Sequence, residues 1–212
     1  MSHRLWPRKG IHLAVVGDDM VVLDIEADAY GCLPDAGKVV RMADDGGLAI
    51  DNPAAARDLE AAGLVEASRT GPGPRRLIPP THEIAAALGT PRPTAVALCL
   101  THLGASTVAF RGKHLAQLVA AANTRVRPAP GADAAGVLAT YRAALPWAPF
   151  EGECLQRSFL LKRLLASRGI ASDWVFGVRT WPFAAHCWIQ IGDGVAGDSL
   201  ERVANYTPIM AV

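Results

Sequence analysis

Residues 68–80 read SRTGPGPRRLIPP, with proline at 72, 74, 79 and 80 and glycine at 71 and 73. Proline fixes φ and has no N–H to donate, so neither a helix interior nor a central strand can run through such a segment. The chain is therefore divided there, and the patterns on the two sides differ. We read residues 1–68 as a small domain, 69–81 as a linker and 82–212 as a larger domain.

Before the break, residues 11–33 (IHLAVVGDDMVVLDIEADAYGCL) form three short apolar runs separated by turn residues. They predict strands at His12–Val16, Met20–Ile25 and Ala29–Leu33, a three-stranded meander. PDAGKVVRMAD, from Pro34, fits a short helix. DNPAAARDLEAAG fits a second, with Asn52 as N-cap, Pro53 at the first helical position and Gly63 closing it.

After the break the pattern is Ala-rich and helical over His82–Leu88, Thr94–Ala109, Gly112–Asn123 and Ala132–Leu145. Residues 94–109 are apolar on nearly every face, which predicts a helix enclosed by its neighbours. A further helix starts at Cys154 and ends before Gly169. Strands are predicted at Trp174–Val178, Ala184–Ile191 and Val195–Asp198. Helices followed by strands make this part, and the chain as a whole, α+β.

The formal net charge of +1 argues against a partner held by bulk electrostatics, whether nucleic acid or membrane. Residues 1–80 carry 9 Lys and Arg against 12 Asp and Glu, so no basic recognition helix suggests itself there. No secretory signal and no membrane-length apolar run is read, and the expected location is the cytoplasm. Cys32, Cys99, Cys154 and Cys187 form no CxxC pair, so each is a small buried hydrophobe or a reactive thiol. His82, His102 and His114 have no Cys or carboxylate at ligand spacing, and no metal or other cofactor is expected.

Two cysteine positions carry different weight. Cys154 opens a helix, where unpaired N–H groups and the positive end of the macrodipole favour a thiolate. His186 lies on a predicted strand, sharing a face with Trp188 and Gln190 while Cys187 takes the other. If the hairpin closes through a three-residue loop, Gly192-Asp193-Gly194, then Ile191 pairs with Val195 and Trp188 with Asp198. His186 is then one diagonal step from Asp198. A two-residue turn would send Asp198 to the wrong face. Nucleophile, base and orienter are thus Cys154, His186 and Asp198.

These residues also resemble a known family. Cys at a helix start, His on one strand and Asp on the next look like the transglutaminase-like, papain-related cysteine enzymes. From about Pro146 to YTPIMAV, the Cys-Leu-x-Arg-Ser, Gly-Val-Arg, Pro-Phe-x-Ala-His and Gly-Asp elements resemble the lasso-peptide biosynthesis B proteins. VVLDIEADAYGCLP resembles the small winged-helix-like recognition domain that binds the leader of a ribosomally made precursor. The resemblance implies a leader peptidase with Cys154 as nucleophile, His186 as general base and acid, and Asp198 as orienter. It implies the precursor leader and the separate ATP-dependent cyclase as partners. It also places Tyr30 and Leu33 on the strand that pairs with the leader. A chain starting near His82 should then keep its catalytic residues but hold precursor weakly. Trp174, Trp181 and Trp188 are read chiefly as packing around the site.

Overall fold

A computed structural model describes residues 3–70, 73, 75, 77–123, 125–148 and 153–212. The N-terminal part contains β1 (His3–Pro7), β2 (Ile11–Val16), β3 (Asp19–Asp24), β4 (Ala29–Leu33), β5 (Val40–Met42), β6 (Leu48–Ile50), α1 (Pro53–Ala61) and β7 (Val65–Glu66). β2, β3 and β4 form the expected antiparallel meander, with β3 in the middle. β5, β6, β1 and β7 form a second antiparallel sheet. α1 is capped as its sequence predicts: Asn52 Oδ1 accepts from Ala54 N at 2.9 Å, and Pro53 sits in the first turn.

The helix expected after Pro34 does not form. A single 3-10 turn (Ala36–Lys38) gives way to β5. Asp35 sits in the left-handed region at φ +60°, and Gly37 donates its N–H to Asp18 O at 2.8 Å. A Cβ at Gly37 would meet the Asp18 carbonyl at 2.9 Å, so this glycine allows two backbone segments to touch. The β-branched Val39 and Val40 that follow favour the extended form.

The middle strand explains how the two parts are joined. β3 (DMVVLD) is buried on both faces, so its alternation serves two cores rather than one core and solvent. Met20 and Val22 pack with Leu5, Val40, Leu48, Ile50, Leu59 and Val65. Val21 and Leu23, with Ala14 of β2, join the larger core of the C-terminal part. Ala116 N–H donates to Ile25 O at 3.2 Å, and Trp181 Nε1–H donates to Asp19 Oδ2 at 2.6 Å across the same junction.

The C-terminal part comprises β8 (His82–Glu83), α2 (Pro93–Phe110), α3 (Leu115–Ala122), α4 (Ala134–Ala144), α5 (Cys154–Ser167), β9 (Asp173–Arg179), β10 (Ala184–Ile191), β11 (Gly194–Ala196), α6 (Leu200–Val203) and β12 (Thr207–Ala211). Its sheet has the order β12-β9-β10-β11-β8. One face, with Trp174, Phe176, Val178, Cys187 and Ile189, packs with Phe159, Leu160, Leu161, Leu164 and Leu165 of α5. The other face carries Val175, Trp188 and Val195 against Val203, Leu200 and Tyr206. The architecture is a mixed α+β fold, with a sheet-rich N-terminal region and a C-terminal region of helices on a sheet.

Two helical expectations fail here for tertiary reasons. Residues 82–88 contribute only β8, because Thr81 N and Ile84 N donate to Asp193 O and Val195 O, each at 2.8 Å. A sheet edge thus claims backbone groups that a helix would have used. α2 forms, but among its residues only Cys99, Leu103, Ser106 and Thr107 are buried. It lies on the surface with Leu98 and Val108 exposed, and its length and composition alone would suffice to cross a membrane. The small and hydroxyl-bearing residues Thr94, Ala97, Thr101 and Ala105 fill the rest of that exposed stripe.

Of the expected linker, residues 71, 72, 74 and 76 lie outside the described residues. Arg69 stays with the N-terminal part, donating to Asp45 O at 2.8 Å, and the later residues reach the C-terminal sheet: Gln190 Nε2–H donates to Ile78 O at 2.5 Å, and Arg75 pairs with Asp173 at 2.5 Å.

Candidate active site

The expected three-residue loop is replaced by a two-residue turn. Ile191 pairs with Gly194, Gln190 with Val195 and Ile189 with Ala196, leaving Gly192 and Asp193 as the turn. Gly192 has φ +61° at the first central position, as a type II′ turn requires, so the tight turn is available without a third residue. Continued, this register would set Asp198 opposite Cys187 and on the wrong face for His186. It does not continue. β11 ends at Ala196, and Gly197, at φ +75°, turns the chain out of the sheet. Asp198 is thereby re-aimed, and its Oδ2 lies 2.6 Å from His186 Nε2. The contact expected from the sequence is present, but a kink produces it rather than pairing register.

The early end of β11 has a second effect: it bares the edge of β10 beside His186 and Cys187. Residues flanking a two-residue turn exchange both backbone hydrogen bonds, and this orientation recurs every second residue. Ile191, Ile189 and hence Cys187 turn their N–H groups toward β11, and at Cys187 no strand is there to receive it. Cys154, first residue of α5, fills the gap. The groups that act on its thiol are, in order of weight, the Cys187 side chain, the His186 ring and the Cys187 backbone N–H. In that order of importance, the two side chains outweigh partial burial and hold the Cys154 pKa down at about 4. At the N-terminus of α5, Glu153 makes no side-chain cap.

His186 is 8% exposed, with its ring 6.2 Å from Trp188 and 5.3 Å from Tyr206, centroid to centroid. Because Asp198 takes Nε2, Nδ1 is left for the thiol. The hydrogen bonds to Asp198 first and Cys154 second raise the ring's pKa to about 9 against the opposing effect of burial. Burial pushes the Asp198 carboxyl up, but the hydrogen bonds from His186 and Ser199 N and the charges of His186 and Arg202 outweigh it, and the net shift is downward. Ser199 N–H donates to Asp198 Oδ1 at 2.8 Å, which fixes the carboxylate plane. Around neutrality the site is a thiolate–imidazolium pair braced by a carboxylate, an arrangement suited to nucleophilic acyl chemistry.

Residues 97–211 match the transglutaminase-like superfamily (Transglut_core3), which is more than half of the chain. The chain belongs to that superfamily. A 50-residue segment of this transglutaminase-like chain is 46% identical to the microcin J25-processing protein McjB of Escherichia coli, covering 24% of each protein. The chain thus aligns with about a quarter of the length of that curated relative. No solved structure matches.

The two peptide-binding candidates part company. Tyr30 and Leu33 lie three positions apart on β4, so alternation points them to opposite faces. Leu33 packs on the smaller N-terminal core. Tyr30 packs on the larger one, its ring 5.7 Å from Phe183. Burial above all, and then the neighbouring Cys187 and Cys154 side chains, push its phenol up to about 12, so Tyr30 lies close to the site. Among the described residues β4 pairs only with β3, and its outer edge is unpaired.

Sequence reasoning missed Cys187 and its supports Ser158 and Trp174. Strand alternation assigned Cys187 to the face away from His186, correctly, but α5 lies on that face and brings Cys154 to the strand edge between the two. Among the described residues no three His, Cys, Asp or Glu side chains converge as metal ligands.

Proposed function

We propose that this protein is a cysteine peptidase that binds the leader of a lasso-peptide precursor and separates it from the core. The observation that carries the reading is Cys154 at the start of α5 together with a His186 ring held by Asp198 Oδ2 at 2.6 Å, a setting that pushes the thiol pKa down and the imidazole pKa up. Membership of the transglutaminase-like superfamily and the partial identity to a microcin-processing protein support it.

In this reading the Cys154 thiolate attacks the last leader carbonyl, and the Cys154 backbone N–H at the start of α5 donates to the developing oxyanion. The Nδ1–H of His186 is transferred to the leaving core amine as the tetrahedral species collapses to a thioester. The neutral ring then takes a proton from water, which attacks the thioester and releases the leader carboxylate and the Cys154 sulfur. Asp198 keeps the ring oriented and stabilises its charged form. The free core amine is what a separate ATP-dependent cyclase requires, and the precursor and that cyclase are the proposed partners, in the cytoplasm. Leader capture is assigned to the N-terminal region, read as a β-rich relative of the winged-helix-like recognition domains. The open edge of β4 would accept the leader as an added strand.

Incubation with the precursor and intact-mass analysis test the proposal. Hydrolysis yields leader plus core with the mass of one water added, whereas an acyltransferase would yield leader joined to an amine. Full processing by Cys154→Ala would leave only a binding role.

A further inference from the structure

Four arginines line one open cavity of about 550 Å³ at the far end of α5 from Cys154. Arg125 and Arg127 come from the connection between α3 and α4, Arg163 from α5, and Arg168 from just past its end. His102 of α2 completes the wall. Among the described residues no Asp or Glu lines this cavity, and none forms an ion pair with any of the four guanidinium groups. The wall is fastened by a close backbone approach. Gly169, at φ +71°, closes α5, and a Cβ there would meet Ala129 N at 2.6 Å. Ala129 N–H donates to Gly169 O at 3.3 Å, so the segment carrying Arg127 is tied to the helix end. Arg163 is also held: its Nε–H donates to Ser106 Oγ at 3.2 Å, and its guanidinium carbon lies 5.7 Å from the centre of the Phe159 ring. Four of its five N–H donors remain, in a rigid plane.

A cation near a helix C-terminus offsets the macrodipole, and Arg168 alone would suffice for that. Four like charges gathered from two segments instead repel one another. His102 adds a second cost, because its Nε2 is out of contact with solvent and has no hydrogen-bond partner among the described residues. Burial first, and then the charge of Arg163, lower the pKa of this ring, so near neutrality it can offer an N–H without adding to the repulsion. Both costs fall when a multiply charged oxyanion enters.

We propose that this cavity is a binding site for a diphosphate group, free or carried as the tail of a nucleotide. Each guanidinium presents a fork that matches two phosphate oxygens. A carboxylate would bring one negative charge, whereas a single phosphate monoester brings about two near pH 7 and a diphosphate more. The volume lies within the range of about 300–1,000 Å³ usual for small-molecule sites, and Val126 and Ala166 give an organic group an apolar wall. Arg168 stands roughly 20 Å along the helix from Cys154, so the ligand would not touch the catalytic residues.

The test is isothermal titration calorimetry of the full chain with inorganic pyrophosphate and, separately, with ADP, at pH 7.5 in 150 mM NaCl. One site with a Kd below about 1 mM is expected for at least one of them. Arg127→Gln and Arg168→Gln, both at exposed positions, should each weaken binding about tenfold while circular dichroism stays unchanged. Arg125→Gln takes the place of either that does not fold. Arg41→Gln, whose arginine pairs with Asp51 in the N-terminal part, should bind as the wild type does. Cys154→Ala should also bind normally, which separates this site from the peptidase assignment. Pyrophosphate bound more tightly than ADP assigns the site to free diphosphate, and the reverse assigns it to a nucleotide tail; either supports the proposal. No binding of pyrophosphate or ADP at about 1 mM, an affinity unchanged in the folded arginine variants, or citrate bound more tightly than both overturns it.

Discussion

Replacing Asp198 with asparagine removes one charge and keeps the size of the side chain. The pair it disturbs is well shielded, with side chains 8% and 15% exposed for His186 and Asp198. The His186 pKa stands at about 9 against the usual 6.5. That shift is worth about 3 kcal/mol in favour of the charged ring, shared between Asp198 and the Cys154 sulfur. If Asp198 carries about 2 kcal/mol of it, the ring of Asp198→Asn loses its proton at a pH lower by about 1.5 units. The proposed reaction requires a deprotonated Cys154 and a protonated His186. A lowered thiol pKa puts the acid limb of kcat/KM near pH 4, and a raised imidazole pKa puts the basic limb near pH 9. Asp198→Asn should leave the acid limb nearly in place and bring the basic limb down to about pH 7.5. Near pH 8.5 it should lose about eightfold through the ring's protonation alone, rising toward about 30-fold well above pH 9, and more if the ring turns. Precursor cleavage followed by mass from about pH 4 to pH 10 measures both limbs. A basic limb that stays near pH 9 in the folded variant would refute the role given to Asp198.

Three other outcomes are expected. Cys154→Ala and His186→Ala should each abolish cleavage while shifting the thermal midpoint by only a few degrees, read by precursor mass and circular dichroism. Gly197→Ala should cost about 1–3 kcal/mol in denaturant titrations and depress activity further, because it forces φ +75° on an L-residue and sets a Cβ 2.7 Å from Leu161 Cδ2. A chain beginning at His82 should lose cooperative thermal unfolding rather than merely leader affinity, since it strips Ala14, Val21 and Leu23 from the larger core. A sharp, native-like melt from that shortened chain would show that the larger core closes without them.

Much of this was legible where local chemistry and periodicity agree. Residues 11–33 alternate and turn as a meander should, Asn52-Pro53 caps α1, and α5 starts at Cys154. The spacing of His186 and Asp198 suggested contact, but the route was misread. Gly192, Gly194 and Gly197 all lie between them, and any of the three can supply a positive φ, so the turn and the kink cannot be told apart from local sequence. The helices expected after Pro34 and at His82 failed because the partners that claimed their backbone groups, Asp18 for Gly37 and Val195 for Ile84, are distant or belong to another element. Leu98 and Val108 look like core by composition. Only the placement of α4 and α5 along one side of α2 shows that the rest of that helix faces outward. Cys187 could have been noticed as a second thiol next to the base, yet nothing in one strand's pattern says that a helix start will arrive at its edge.

β3, the middle strand of the β2–β4 sheet, is packed on both faces, and this bears on how a bound peptide would be measured out. β3, wedged between the two cores, ties the sheet that carries the free edge of β4 to the part of the chain that carries Cys154. A leader annealed to that edge, as proposed, would advance about 3.3 Å per residue and would meet the nucleophile after a set number of residues. The protein would then act as a gauge of chain length, in which one residue added to the substrate between the annealed segment and the cut displaces the severed bond by one.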